Sequence, residues 1–172
     1  MNAAQVTVRP RRDDDIPILA DVLVRVHALD GYPVEGVADP QAWLSHPHEL
    51  RSWTAEVDGQ PVGQITLTAA TDADDAARLW REQTGGNVAE LTIPVRLFVD
   101  PDHRGLRAAG VLMSAALDHA RALGRAVAFD VMVKDQTAIR LYERLGARKL
   151  GEITHHHSDG LTEPAIAYVV PS

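Results

Sequence analysis

The stretch that most constrains the fold is LTIPVRLFVDPDHRGLRAAGVLMSAALDHARALGRAVAFDVMV, residues 91–133. Two apolar runs flank a segment in which Leu106, Ala109, Met113, Ala116, Ala120 and Leu123 recur every three or four residues, and Gly124 stops it. That spacing places one apolar stripe on a helix, and a glycine is a favoured stop. Strand, helix and strand in this order predict a parallel pair joined by a right-handed crossover. The first run reads as one long strand, NVAELTIPVRLFVDP, with Pro94 in its middle. Proline cannot donate to a ladder, so a bulge or splay is expected there.

The rest of the chain sets antiparallel neighbours around that crossover. QVTVRP alternates and reads as a strand. RRDDDIPILADVLVRVHALDGYP reads as a helix on the spacing of Ile16, Leu19, Leu23 and Val26, with acidic residues in its first turn and Gly31 and Pro33 at its end. A loop with one helical turn around Trp43 follows. SWTAEVDGQPVGQITLTAA is a hairpin about Asp58-Gly59. DADDAARLWREQ is a short inserted helix, DQTAIRLYERLG a second amphipathic helix, and ARKLGEITHH and PAIAYVV two final strands. The order β-α-β-β-(α)-β-α-β-α-β-β predicts a mixed, mainly antiparallel α/β sheet with a central parallel β-α-β crossover and flanking helices. No repeat or linker divides the 172 residues, so a single domain over 1–172 is expected.

Charge and cysteine content narrow the function. The formal net charge is −7, which argues against a broad nucleic-acid or anionic-membrane surface. There is no cysteine, which excludes disulfides, thiolate nucleophiles and Cys-zinc sites, and a cytoplasmic setting is expected. The N-terminus lacks the apolar core of a secretory signal, and no apolar run approaches the ~20 residues that span a bilayer.

A helix that starts directly after a strand offers unpaired N–H groups and the positive end of its dipole. Gly105 lets backbone approach closely, and Arg104 and Arg107 add charge that suits phosphate. An ordinary β-α turn with solvated arginines fits the same spacing equally well.

The segments LFVDPDHRGLRAAGVLM and DVMVKDQTAIRLYERLGA, within about residues 88–150, resemble the GNAT family of acyl-CoA N-acyltransferases. That family's pattern is Arg/Gln-x-x-Gly-x-Gly/Ala after a strand, then an Asn and Ala-x-x-x-Tyr-x-x-x-Gly-Phe. Arg104 and Ala109 match the ends of the first motif, and Ala138, Tyr142 and Gly146 match the second. Asp135 stands where Asn is usual, Arg107 where the middle Gly is usual, and Ala147 in place of Phe. A side chain at 107 is expected to require ordinary helical backbone angles, with the guanidinium swung aside or onto a phosphate.

The resemblance implies acetyl-CoA as the acyl donor; no metal is expected, since no cluster of ligands stands in the sequence. It places the pantetheine arm on backbone groups of Leu97, Phe98 and Val99. The pyrophosphate falls on Arg104, Gly105, Leu106, Arg107, Ala108 and Ala109, with Asp135 as a further cofactor contact or a plain helix cap. Tyr142 would serve the leaving thiolate and Glu90, read as lying on the fourth strand, would be the base. An N–H at Val99 or a neighbour would hold the oxyanion. The acceptor implied is a primary amine of a small molecule or peptide, and strand-edge homodimers occur in the family. Asp30, Tyr32, Glu35 and Asp39 are candidates to attract a cation; with Trp43 packed inward they are equally a solvated loop. His155, His156 and His157 alternate faces on a strand, which suits a substrate-facing histidine or a solvated turn better than a metal site, and His46 and His48 read as surface. The alternatives are a catalytically weakened CoA-binding module acting as a sensor or partner, and a binder of a nucleotide or sugar phosphate at the same helix start.

Overall fold

The computed structural model describes residues 5–33, 36–105, 107–156 and 160–172. It contains two compact units, Met1–Thr68 with Val95–Ala116, and Ala69–Pro94 with Leu117–Ser172.

In the first unit, β1 (Val6–Pro10) precedes helix α1 (Asp15–Asp30) and the single turn α2 (Pro40–Trp43). Strands β2 (Glu49–Val57) and β3 (Gln60–Ala69) form the expected hairpin. Asp58 and Gly59 both have left-handed backbone, φ 51 and 76, the geometry that matches a tight turn to the twist of its strands. β1 lies antiparallel to β2, pairing Val6 with Val57 and Pro10 with Trp53. Leu19, Leu23, Val26, Leu44 and Phe98 form the core between α1, α2 and strand β4 (Leu91–Val99). Asp15, at the start of α1, ties that helix to the sheet. It accepts from Arg9 twice at 2.7 Å, from the Arg12 N–H at 2.8 Å and from the Thr54 hydroxyl at 3.0 Å. Burial alone would raise its pKa, but these donors hold it at about 2.

In the second unit, α3 (Asp75–Thr84) precedes the first half of β4, and β5 (Ala126–Met132), α5 (Gln136–Arg144), β6 (Arg148–His156) and β7 (Thr162–Val170) follow α4 (Ala108–Ala122). β4 and β5 are parallel, with Leu91 opposite Ala126 and Thr92 opposite Val127. β7 is antiparallel to both β5 and β6. Phe129 stacks on Tyr168 at 5.9 Å and meets the edge of Tyr142 at 4.8 Å, which fastens α5 to the sheet. The strands follow the order β1-β2-β3-β4-β5-β7-β6, the mixed α/β arrangement expected from the sequence.

One boundary differs with consequence. The strand expected from Asn87 begins at Leu91, and Glu90 lies on a 3-10 turn, Val88–Glu90, rather than on the strand. The Asn87 side chain takes the Ala89 N–H at 2.9 Å, and Glu90 Oε1 takes the Asn87 N–H at 3.2 Å. This reciprocal cap curls the segment that alternation alone reads as extended.

Candidate functional site

The loop between β4 and α4 is anchored by Asp100. Its buried carboxylate accepts the Asp102 N–H at 3.0 Å and pairs with Arg25, while its own N–H donates to the Val62 carbonyl at 2.6 Å. Burial opposes its ionisation, yet the Asp102 N–H and the Arg25 guanidinium hold its pKa below the usual carboxylate range. Arg104 is exposed and ion-paired with Asp30 at the end of α1. Gly105 is left-handed, with φ 89.

Arg107 corrects an expectation. It does not take helical angles; its φ is 63. The loop therefore keeps the backbone that a glycine would adopt freely, with an arginine in it. The physical reason is its place in the helix. The Arg107 carbonyl accepts the Val111 N–H at 3.1 Å, so Arg107 is the residue that caps α4, outside the helical run itself. A capping side chain normally accepts a first-turn N–H, but a guanidinium can only donate. The capping residue of α4 thus offers no acceptor to the N–H groups of its first turn. Ala108 is buried, Ala109 half-buried and Arg107 exposed. Leu106 lies outside the described residues.

Arg96 marks the bulge expected near Pro94: its φ is 56, inside a strand. Beyond it the strand faces β3 in a definite phase. A Cβ on Gly63 would stand 2.6 Å from the Phe98 carbonyl oxygen, and Asp100 donates to Val62. Strand alternation then turns the N–H and C=O of Leu97 and Val99 away from β3. The Phe98 carbonyl faces β3 and its ring lies in the core. Of the three positions, Leu97 and Val99 present backbone to the far edge.

In the second unit, Asp135 caps α5 by accepting the Ala138 N–H at 3.2 Å. Tyr142 is half-buried against Phe129. Its hydroxyl is pushed up to about 12, first by burial and then by the negative charge of Asp135. Glu90 is exposed and engaged in its cap. His155 Nδ1 lies 2.7 Å from Asp130 Oδ2, a pair bridging β6 and β5 across β7. Asp130 neighbours Phe129 on β5, so it points to the face opposite Tyr142. Sequence reasoning passed over Asp130; the signal was the single charge in the apolar run AVAFDVMV. His157 and Glu35 lie outside the described residues. Among the described residues, no group of three His, Asp or Glu side chains is placed to hold a metal ion.

The loop read as attracting a cation is largely occupied. Asp30 is bound to Arg104, Asp39 caps α2 by accepting the Ala42 N–H at 3.1 Å, and Tyr32 packs edge-on against Trp43 at 5.8 Å.

The acetyltransferase (GNAT) family profile matches residues 19–147. The chain is 35% identical over 98 residues to the probable N-acetyltransferase camello of Xenopus tropicalis, covering 56% of this chain and 38% of that protein. It is 32% identical over 105 residues to an uncharacterized N-acetyltransferase of Methanocaldococcus jannaschii, covering 60% of this chain and 42% of that protein. These alignments thus span less than half the length of either relative. Its fold is similar to that of a ribosomal-protein-alanine N-acetyltransferase from Brucella melitensis, with TM-score 0.73 at 15% identity over 96% of this chain and 99% of that one. A putative acetyltransferase from Salmonella typhimurium, solved with acetyl-CoA, gives TM-score 0.71 at 16% identity over 96% and 93%. With a family match over most of its length, and the strand order and crossover that go with it, the chain belongs to the GNAT acetyltransferase family.

Proposed function

We propose that this protein transfers an acetyl group from acetyl-CoA to a primary amine of a small molecule or peptide by direct attack. The observation that carries the reading is the start of α4. The first-turn N–H groups of α4 receive no acceptor from the capping side chain, because the left-handed Arg107 can donate but not accept. A pyrophosphate supplies the missing acceptors, and the Arg107 guanidinium adds a charge-assisted bond. Arg104 and Gly105 shape the loop, Arg104 through Asp30. The backbone of Leu97 and Val99 receives the pantetheine arm and the thioester carbonyl.

In the reaction the amine nitrogen forms a bond to the thioester carbon and the carbon–sulfur bond breaks. The amine proton passes to a base, and the electron pair leaves on the CoA sulfur. Tyr142 steadies that sulfur. A hydroxyl near 12 stays protonated where a thiol near ~8.5 has already ionised, so Tyr142 donates a hydrogen bond without giving up its proton. Two groups can take the amine proton. Glu90 is one, although its carboxylate already holds the Asn87 N–H. The Asp130–His155 pair is the other, and its place on the face of β5 opposite Tyr142 suits an amine arriving against a departing sulfur.

The absence of cysteine simplifies the test, because a thiol reagent reads only the CoA released. Acetyl-CoA should bind in calorimetry, ATP should not compete, and a panel of amines should yield free CoA with at least one member. A second reading, a CoA-binding module without turnover, draws on the engaged Glu90. It predicts binding of acetyl-CoA with no thiol release from any amine. Binding of ATP but not acetyl-CoA would sink both.

A further inference from the structure

We propose that Arg11 and Gln64 are positioning residues for acyl transfer: a buried latch that holds the β4 bulge at Arg96 and so decides which backbone groups of β4 meet the thioester. The inference rests on the acetyltransferase reading and adds a device to it. Gln64 is 0% exposed, on β3. Its Oε1 accepts from Arg11 Nη1 at 2.7 Å, and its Nε2 donates to the Arg96 carbonyl at 2.7 Å. The amide has only one possible orientation. Arg11 is a pure donor, so it must face the amide oxygen, and the NH2 is left for β4. Arg11 is fixed in turn by the Leu44 carbonyl at 3.0 Å and by Glu49 at 3.2 Å. What β3 presents to β4 here is therefore a donor, and it captures a carbonyl.

The captured carbonyl belongs to a residue that would not choose its conformation. Arg96 is left-handed at φ 56, and such a residue persists only where its surroundings over-determine it. The latch holds its backbone. Its side chain is held as well, by stacking 4.9 Å over the Trp43 ring and donating to the Ser45 carbonyl at 2.9 Å. A bulge shifts strand alternation by one residue beyond it. Without the shift, the Phe98 ring would leave the core, and the N–H and C=O of Leu97 and Val99 would turn toward β3. The latch thus sets the phase of the segment proposed to receive the pantetheine arm and the oxyanion.

The test compares the full chain with Gln64→Glu, which puts an acceptor against the Arg96 carbonyl, and Gln64→Met, which removes the donor at similar length. The expected result is kcat lower by roughly 30- to 100-fold, the scale of a sub-ångström to 1 Å misplacement of reacting groups. The Kd for acetyl-CoA, carried mainly by the start of α4, should stay within about threefold. Infrared spectra of bound acetyl-CoA labelled at the thioester carbonyl should lose the red shift that the parent imposes. Arg96→Gly in the Gln64→Met background should recover kcat by about tenfold, because glycine holds a positive φ without help. A folded Gln64 variant with parental kcat and parental carbonyl frequency overturns the latch alone. A parent that binds no acetyl-CoA overturns the acetyltransferase reading and the latch with it.

Discussion

Arg107→Gly should make the protein more stable and a poorer binder of acetyl-CoA. In the parent, an L-residue other than Gly, Asn or Asp occupies the left-handed region at φ 63, where contact of Cβ with the backbone costs about 1–2 kcal/mol. Glycine removes that contact but gives the unfolded chain more freedom, which takes back about 0.5–1 kcal/mol. The Arg107 side chain is exposed, so its loss forfeits little packing. The net gain is roughly 0.5–1 kcal/mol, or a Tm higher by about 1–4 °C in a chain of this size. Binding should move the other way. A hydrogen bond from a guanidinium to phosphate is worth about 1.5–3 kcal/mol, so the acetyl-CoA Kd should rise about 10- to 100-fold, and its dependence on salt should weaken. Arg107→Ala separates the two effects, because it loses the charge and keeps the strain. It should bind as weakly as Arg107→Gly, with a Tm near that of the parent. Differential scanning calorimetry and isothermal titration measure both quantities on the same samples. A Tm for Arg107→Gly at or below that of Arg107→Ala would refute the strain argument, and unchanged acetyl-CoA affinity in both variants would refute the role of the guanidinium.

Tyr142→Phe should lower kcat by about 10- to 100-fold with little change in acetyl-CoA affinity, the value of one hydrogen bond to a charged sulfur. Since the Tyr142 hydroxyl is held near 12, the pH–rate profile of the parent should show no fall attributable to it below about pH 11, and the profile of Tyr142→Phe should keep the parental shape. Asp130→Asn keeps a polar partner for His155 and removes the charge; it should cost about 10²–10⁴ in kcat, whereas Glu90→Gln, which can still cap the Asn87 turn, should cost less than about threefold. The reverse ranking in a steady-state assay would return the base to Glu90. The Asp15 carboxylate has its pKa lowered to about 2 from 3.8, so its stabilisation is complete above about pH 5 and is lost as pH falls toward 2. The lost share is about 2 kcal/mol, and Asp15→Asn should flatten the acid limb of stability against pH in urea titrations.

The fold was legible because its signals are local and redundant. The Asp58-Gly59 turn, the glycine stops at Gly31 and Gly124 and the stripe along α4 each need only neighbouring residues, and each appears where the periodicity puts it. The cap formed by Asp135 was legible for the same reason, since one side chain and one N–H three residues on decide it. Alternation failed at Glu90, because a reciprocal cap with Asn87 outweighs strand propensity over three residues, and no period reports that. The candidate site was legible as a motif but not as a geometry. The Arg107 substitution reads as a loss of glycine, and the natural inference is that the backbone changes to suit the new side chain. The structure has the opposite arrangement: the backbone keeps the glycine conformation and the side chain bears the strain. At Arg96, Pro94 signals an irregular strand, but nothing in VRLFV says which residue turns left-handed. Its cause lies far away in sequence, in an arginine before α1 and a glutamine on β3 that meet only once the strands have paired. Among the described residues, Arg96 and Arg107 are the two arginines with left-handed backbone, one inside β4 and one directly before α4. Two locally unfavourable residues so close in sequence are hard to account for by backbone stability, since glycine holds a left-handed φ at lower cost. On the proposed reading each is offset by a separate contact, Arg96 by the Gln64 amide on its carbonyl and Arg107 by the charge its guanidinium offers a phosphate.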